Sequence, residues 1–466
     1  MTAIVTDPFK KQLLQRVFDE VRLDSARYYL GIGRSEQWDS SETVPTPLDT
    51  PRQIRNARAS MQAVKSAADV SFVIPRYNWS SGAIYQAYDD NFSSIPATNS
   101  YYVLTEENQV YICLKQARNS AGVATTSTVK PSGTSTKPFK TLDGYVWKFL
   151  YSLSSTRANA FLSANFVPVE KILTTAELGR SHTSLEAEQF AVQNAKSPGQ
   201  VLGVAVIEGG SGYNNGTRSL TIVGDGTGAT CTGTVEGNTF TKIELDSSAD
   251  STMKMGGGYK FVSVAMPAPD IGGGTQATSR VILGPDSGMG ADARDELKST
   301  SLMFNTKPDG TEGGKFVVDN DFRQVTLMRN PLLGRDSNFT GTASRVLKFL
   351  KVTSSTDAAT LTVDKTITGA NSGAVALVVE VLTDQVYYYQ NETTGFKPFE
   401  EAEVINGGAG GSATLEATGV DADADAFDRD SSDIINTTGQ VLYIENRAPV
   451  IRGNLQKEDI KIVLTL

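Results

Sequence analysis

The chain has 466 residues, and its 52 Asp and Glu outnumber 43 Lys and Arg, giving a formal net charge of −9. That balance excludes the dense basic face that a nucleic-acid partner needs. Two distant cysteines, Cys113 and Cys231, and the single His182 exclude a disulfide framework and nearly exclude zinc, Cys–His and Ser–His chemistry.

A hydrophobic fraction of 39% with 42 glycines fits a β-rich, loop-rich protein of about three domains. Asp7-Pro8 marks a helix start, a capping carboxylate followed by proline in the first turn. Phe9, Leu13, Val17 and Val21 recur at helical spacing, joined by Leu14 and Phe18, and are assigned inward, with Lys10, Lys11, Arg16 and Glu20 outward. Residues 28–32 form a predicted strand. Thr50-Pro51 opens a second helix, predicted to place Ile54, Ala57, Met61, Val64 and Ala68 inward and Arg52, Arg55, Arg58 and Lys65 outward. Strands follow at 70–74, 101–104, 109–114 and 146–153, separated by Gly, Ser, Thr and Asn turns. Helix, strand, helix, strand over the first 75 residues predicts a small α/β layer. Residues 168–195 are predicted helical, leading into a linker at Ser197-Pro198-Gly199.

From Val201 the pattern is an internal repeat: a valine-rich strand, a Gly-Gly-x-Gly-Tyr or Gly-Gly-Gly-Tyr turn, a strand and a glycine-rich return. Tyr213 and Tyr259 are the large apolar anchors of the two turns. Residues 344–418 form a second β insertion, closed by the acidic stretch 421–433. Ile460, Ile462, Leu464 and Leu466 share one face of an apolar strand, which is expected to be pinned inside a sheet.

Catalytic and ligand motifs are scarce. There is no GxSxG elbow, Walker loop or HExxH. Gly224-Asp225-Gly226-Thr227-Gly228 lacks a following helix and so reads as a β-turn rather than a phosphate cradle. The aspartates of 421–433 lack the bend glycine and closing glutamate of a calcium loop, which favours a solvated loop over a weak ion site. Asp89-Asp90 and Glu400-Glu401, taken as strand neighbours, would point to opposite faces and not converge. Arg52, Arg55, Arg58 and Lys65 are assigned to a solvated or partner-facing helix rather than to nucleic acid. Residues 1–8 carry no secretory pattern, and no run reaches the ~18 apolar residues that span a bilayer.

Five blocks carry a resemblance: GIGRSEQW (31–38), VIPRYNW (73–79), DGYVWKFLYSL (143–153), RQVTLMRNPLL (323–333) and YIENRAPVI (443–451) followed by a terminal apolar strand. In content and order they resemble the baseplate wedge subunit, gene product eight, of T4-like contractile-tailed phages. The likeness spans roughly 1–170, 295–335 and 436–466, and the stretches between do not share it. It implies a homodimer that joins other wedge subunits, with an α/β domain and β-sandwich-like domains, in the tail baseplate of a virion assembled in host bacterial cytoplasm.

The combined expectation is an α+β, predominantly β fold, with a small α/β layer domain, β-sandwich-like domains and glycine-rich β-repeat insertions. Residues 1–75 form the α/β core, completed by 295–343 and 436–466. A β-rich domain with a helical tail spans 76–198, the glycine-rich insertion 199–294, and the second insertion with its acidic loop 344–435. Arg34, Glu36, Trp38, Arg76, Tyr77, Trp79, Trp147, Asn446 and Arg447 are the candidate interface and structural residues, because Trp, Tyr and Arg concentrate at interfaces. The expected partners are a second copy and other wedge subunits. No enzyme activity, cofactor, metal, nucleic acid or membrane insertion is expected. The alternative is a glycan- or receptor-binding or carbohydrate-active tail protein, with Tyr213, Tyr259 and Tyr387, Tyr388 and Tyr389 as exposed platforms.

Overall fold

A computed structural model of the chain describes residues 3–22, 27–119, 121–248, 252–334, 337–417 and 432–466. It is about 13% helix and 38% strand, so the protein is predominantly β, with helices added to antiparallel sheets. Two compact units emerge: Met1–Leu14, Ser71–Leu302 and Thr465–Leu466 form one, Gln15–Val70 and Met303–Leu464 the other.

The first unit contains a four-stranded sheet ordered Tyr102–Leu104, Gln109–Lys115, Val146–Ser152, Phe139–Lys140. Its core is aromatic: Trp147, Tyr111, Tyr145 and Phe149 are fully buried, with Val192 of helix Ser184–Asn194 packed against them. The segment 168–195 is less helical than expected. It begins in strand Phe166–Val169 and holds two short helices, Thr175–Leu178 and Ser184–Asn194, each started by a Thr–Glu capping box.

The glycine-rich repeat forms a six-stranded sheet ordered Val262–Ala265, Gly216–Gly224, Cys231–Glu236, Thr239–Leu245, Val201–Glu208, Thr278–Leu283. Strands from both copies share this sheet, and its two end strands approach each other. Tyr213 is wholly buried; its hydroxyl donates to Pro267 O at 3.0 Å and accepts from Ala277 N at 2.9 Å. Gly-Asp-Gly-Thr-Gly runs into strand Thr227–Ala229 at its last two residues rather than into a helix, and Asp225 Oδ1 accepts from Lys260 N and Phe261 N, tying one copy's turn to the other's. The expected linker Ser197-Pro198-Gly199 is instead docked. Pro198 O and Gly199 O accept from Gly258 N at 3.0 Å and Tyr259 N at 3.1 Å, because paired backbone is satisfied there as in a strand.

The second unit contains a five-stranded antiparallel sheet ordered Ala343–Arg345, Met61–Ser66, Tyr28–Gly33, Asn320–Arg329, Gln440–Arg452. The second helix therefore ends earlier than predicted, at Ala59. Thr50 caps it as expected, but Met61–Ser66 is a strand paired with Tyr28–Gly33. Met61, Gln62, Ala63 and Val64 are all buried, so both strand faces are covered and the apolar spacing mimicked a helix. The antiparallel pairing also sets this layer apart from a βαβ unit.

A six-stranded sheet ordered Lys348–Lys351, Gln385–Tyr389, Val375–Val381, Thr366–Gly369, Val404–Gly407, Ser412–Thr414 occupies the second insertion. Val386 and Tyr388 face one cluster with Leu350, Val378 and Ile405. Tyr387 and Tyr389 face another with Phe349, Leu377 and Val379. Both faces are covered, so alternation buries every one of these tyrosines.

Two apolar stripes differ from expectation. In helix Asp7–Arg22 the buried positions are Leu14 and Val21, while Phe9 and Leu13 are 52% and 41% exposed. The last strand, Ile460–Thr465, lies at the edge of a four-stranded sheet rather than inside it, and only Ile462 is buried. An edge strand has one covered side, which suffices for a period-two apolar pattern.

Candidate interaction sites

In the second unit, strand Tyr28–Gly33 runs into Arg34, whose φ of 60° turns the chain sharply. Arg34 N donates to Ser60 O at 2.8 Å. The guanidinium stacks over the Trp38 ring at 4.3 Å and lies 3.6 Å from Glu36 Oε2. Glu36 Oε2 accepts from Asn391 Nδ2 at 2.8 Å, and Trp38 Nε1 donates to Arg447 O at 2.8 Å. Asn446 accepts from Gln324 Nε2 at 2.8 Å and donates to Pro45 O at 2.9 Å. The structure thus gathers Arg34, Glu36, Trp38, Asn446 and Arg447 into one site. Arg447 and Glu445 form an ion pair at 3.5 Å, each about 40% exposed.

The central residue of this site is absent from the sequence-based set. Arg323, 4% exposed, holds Glu42 with two nitrogens, Nη2–Oε1 at 2.7 Å and Nε–Oε2 at 3.0 Å, and reaches Ser35 O at 2.5 Å and Asp321 Oδ1 at 2.7 Å. The hydrogen bond from Arg323 holds the Glu42 carboxyl below the usual glutamate range. The sequence surroundings of Arg323 gave no clear signal, because it stands between Asp321 and Gln324 ahead of the apolar residues of Asn320–Arg329; only its burial shows that the guanidinium needs several acceptors.

The other candidates lie in the first unit. Arg76 Nη1 donates to Ser163 O and its Nε to Asn78 Oδ1, both at 2.9 Å. The rings of Tyr77 and Tyr102 meet edge-on at 5.5 Å, and Trp79 Nε1 donates to Ser127 Oγ at 3.2 Å. Trp147 is completely buried, stacked on Tyr145 at 5.8 Å with Tyr85 edge-on at 5.5 Å. It packs the core and presents nothing to a partner. Arg76, Tyr77 and Trp79 are half-buried, so they combine packing with an accessible edge.

A second residue that sequence did not flag is Glu296, 1% exposed, whose Oε1 accepts from Gly290 N at 2.6 Å and Asp292 N at 3.2 Å. Burial pushes this carboxyl up to about 7 against the pull of those N–H groups and the nearby Lys148. Lys148 is itself 4% exposed, donates to Thr136 O at 2.7 Å, and is lowered by burial.

Several other sequence expectations change. Asp89 and Asp90 converge after all: they occupy a loop, where strand alternation does not apply, and both grip Arg280, at 2.6 Å and 2.5 Å. The basic helix face is dispersed. Arg52 pairs with Glu392 at 3.0 Å, Arg58 donates to Gly439 O, and Lys65 sits on a strand beside Glu312. Tyr213, Tyr259, Tyr387, Tyr388 and Tyr389 are at most 8% exposed, so they form no surface platform. Cys113 and Cys231 are buried free thiols raised by burial, Cys231 to about 11. Residues 421–431 of the acidic stretch lie outside the described residues; Asp433 is buried and pairs with Lys315 at 2.6 Å. Among the described residues, no three His, Cys, Asp or Glu side chains are placed to hold a metal, and no helix is long and apolar enough to cross a membrane. Compared with known proteins, the chain matches no protein-family model and no curated protein.

Proposed function

We propose that this chain is a structural subunit of a contractile phage tail baseplate wedge. It acts by binding: two copies associate, join neighbouring wedge proteins during assembly in the host cytoplasm, and pass on the baseplate rearrangement in the virion. In that role it performs no catalysis, uses no cofactor, binds no nucleic acid and does not insert into a membrane.

The resemblance of the five blocks motivates this reading, and one observation carries it further. The first and last blocks, 409 residues apart, are joined by the 2.8 Å bond from Trp38 Nε1 to Arg447 O, with RQVTLMRNPLL supplying Arg323 and Gln324 between them. Blocks that assemble into one hydrogen-bonded site suit a part whose job is to hold a shape. The glycan-binding alternative loses its support, because the tyrosines it relied on are core residues.

The test is the light-scattering mass of the purified chain, alone and mixed with the other wedge proteins of the same genome. A dimer that moves into a larger complex on mixing is expected. A monomer indifferent to those proteins rejects the assembly role.

A further inference from the structure

Within the first unit, a cavity of about 380 Å³ is lined from both strand Val146–Ser152 and the glycine-rich repeat. Its buried lining is apolar: Leu114, Met253, Met255 and Met289 are at most 6% exposed. Thioether side chains adapt to an irregular apolar body. Three cations line the cavity as well. Lys137 and Lys254 are exposed and stand at its open side, whereas Lys148 is 4% exposed.

Charge sets this cavity apart. The chain carries −9 overall, yet among the described residues no carboxylate lines the cavity and none of its three lysines forms an ion pair. Lys148 Nζ donates to Thr136 O at 2.7 Å, its one hydrogen bond among the described residues, although an ammonium carries three donors. Glu296 attracts Lys148 electrostatically without pairing with it, and Glu296 Oε1 is already taken by Gly290 N and Asp292 N. Burial lowers the Lys148 ammonium, a cost that an incoming anion offsets. The adjoining cavity of about 590 Å³, which shares Leu114 and Met253, differs in this respect. There Lys115 and Lys242 both hold Glu244, at 2.7 Å and 2.9 Å, so those charges are already met.

We propose that the smaller cavity binds a small organic anion, a carboxylate on an apolar body. The head group sits on Lys148, Lys137 and Lys254, and the body lies against Met253, Met255 and Met289. A charge-assisted hydrogen bond to Lys148 fixes the orientation, and burial of the apolar body supplies affinity. Such a site needs nothing from the baseplate role.

The test uses the full chain with isotope-labelled methionine methyls, read by NMR, and octanoate as the probe. Of the 8 methionines, Met253, Met255 and Met289 are expected to shift while the others stay in place. The shifts should saturate with a dissociation constant on the order of 1 mM. Octanol and octyltrimethylammonium share the body but lack the negative head, and should bind at least roughly tenfold more weakly. The double variant Lys137→Glu, Lys254→Glu changes two exposed positions, so it should keep the native methyl spectrum and weaken octanoate roughly tenfold. Lys148→Met should lose the saturable shift; where it fails to fold, the double variant decides. The proposal is overturned by unmoved Met253, Met255 and Met289 methyls up to about 10 mM octanoate. Equal binding of either control compound, or full binding by the folded double variant or by folded Lys148→Met, overturns it too.

Discussion

Trp38 and Arg447 are joined through indole Nε1 and backbone carbonyl at 2.8 Å, and this bond closes the outer edge of the strand Gln440–Arg452 at its midpoint. The same indole lies under the Arg34 guanidinium, so one side chain ties a turn, a cation and a sheet edge together. Trp38→Phe keeps a ring for Arg34 and deletes the donor. It is expected to cost about 1 kcal/mol, with Trp38→Ala costing roughly 2–4 kcal/mol by adding lost packing. Urea midpoints for both variants check the ordering, and equal costs would show that the hydrogen bond contributes most of the effect.

Arg323 and Glu42 provide a second test. Arg323→Met should destabilise by about 3 kcal/mol, because it strips acceptors Ser35 O, Asp321 and Glu42 of a shared donor. Arg323→Lys should recover little of that loss, since an ammonium cannot reproduce the two-nitrogen grip. A double-mutant cycle with Glu42→Gln isolates the pair, and a coupling near zero would show that the carboxylate is dispensable.

Glu296 gives the protein a pH dependence of definite sign. Its folded-state carboxyl is raised from 4.5 to about 7 by burial, whereas the unfolded chain ionises near the ordinary value. Its contribution to stability is therefore fully present below about pH 4.5 and is lost as pH rises through 7. Glu296→Gln should flatten the fall in urea midpoint between pH 5 and pH 8, removing on the order of 2 kcal/mol of it. An unchanged fall would assign the dependence to other groups.

Gly199 and Gly237 separate backbone strain from crowding. Both have positive φ, 66° and 58°, but a Cβ on Gly199 would meet Tyr259 N and O at 2.5 Å, whereas one on Gly237 meets nothing within 4 Å. Gly237→Ala should cost about 1 kcal/mol from the left-handed backbone alone. Gly199→Ala should cost clearly more, because the backbone pairing with Gly258 and Tyr259 must open. Thermal melts of the two variants compare them directly, and similar shifts would show that the docked segment can give way.

Local chemistry made much of this fold legible. Thr50-Pro51 fixed a helix start because a hydroxyl cap and a proline satisfy or remove orphan N–H groups on the spot. Tyr213 and Tyr259 were identifiable as turn anchors because each follows glycines that permit the turn around it, whereas their burial emerged only from the packed sheet. The candidate site was half legible: Arg34, Trp38 and Asn446 stood out by residue type, but Arg323 and Asn391 became partners only through long-range packing.

By itself the sequence determined the strand-rich character, the repeat, and the residue types that converge between Arg34 and Arg447. Only the tertiary structure decided that Met61–Ser66 is strand, that Gln440–Arg452 is an edge, and that Tyr387 through Tyr389 are covered on both faces. The physical reason is common to all three. A short apolar run shows that a segment is buried, but which neighbours bury it, and on how many sides, is settled by pairing across hundreds of residues.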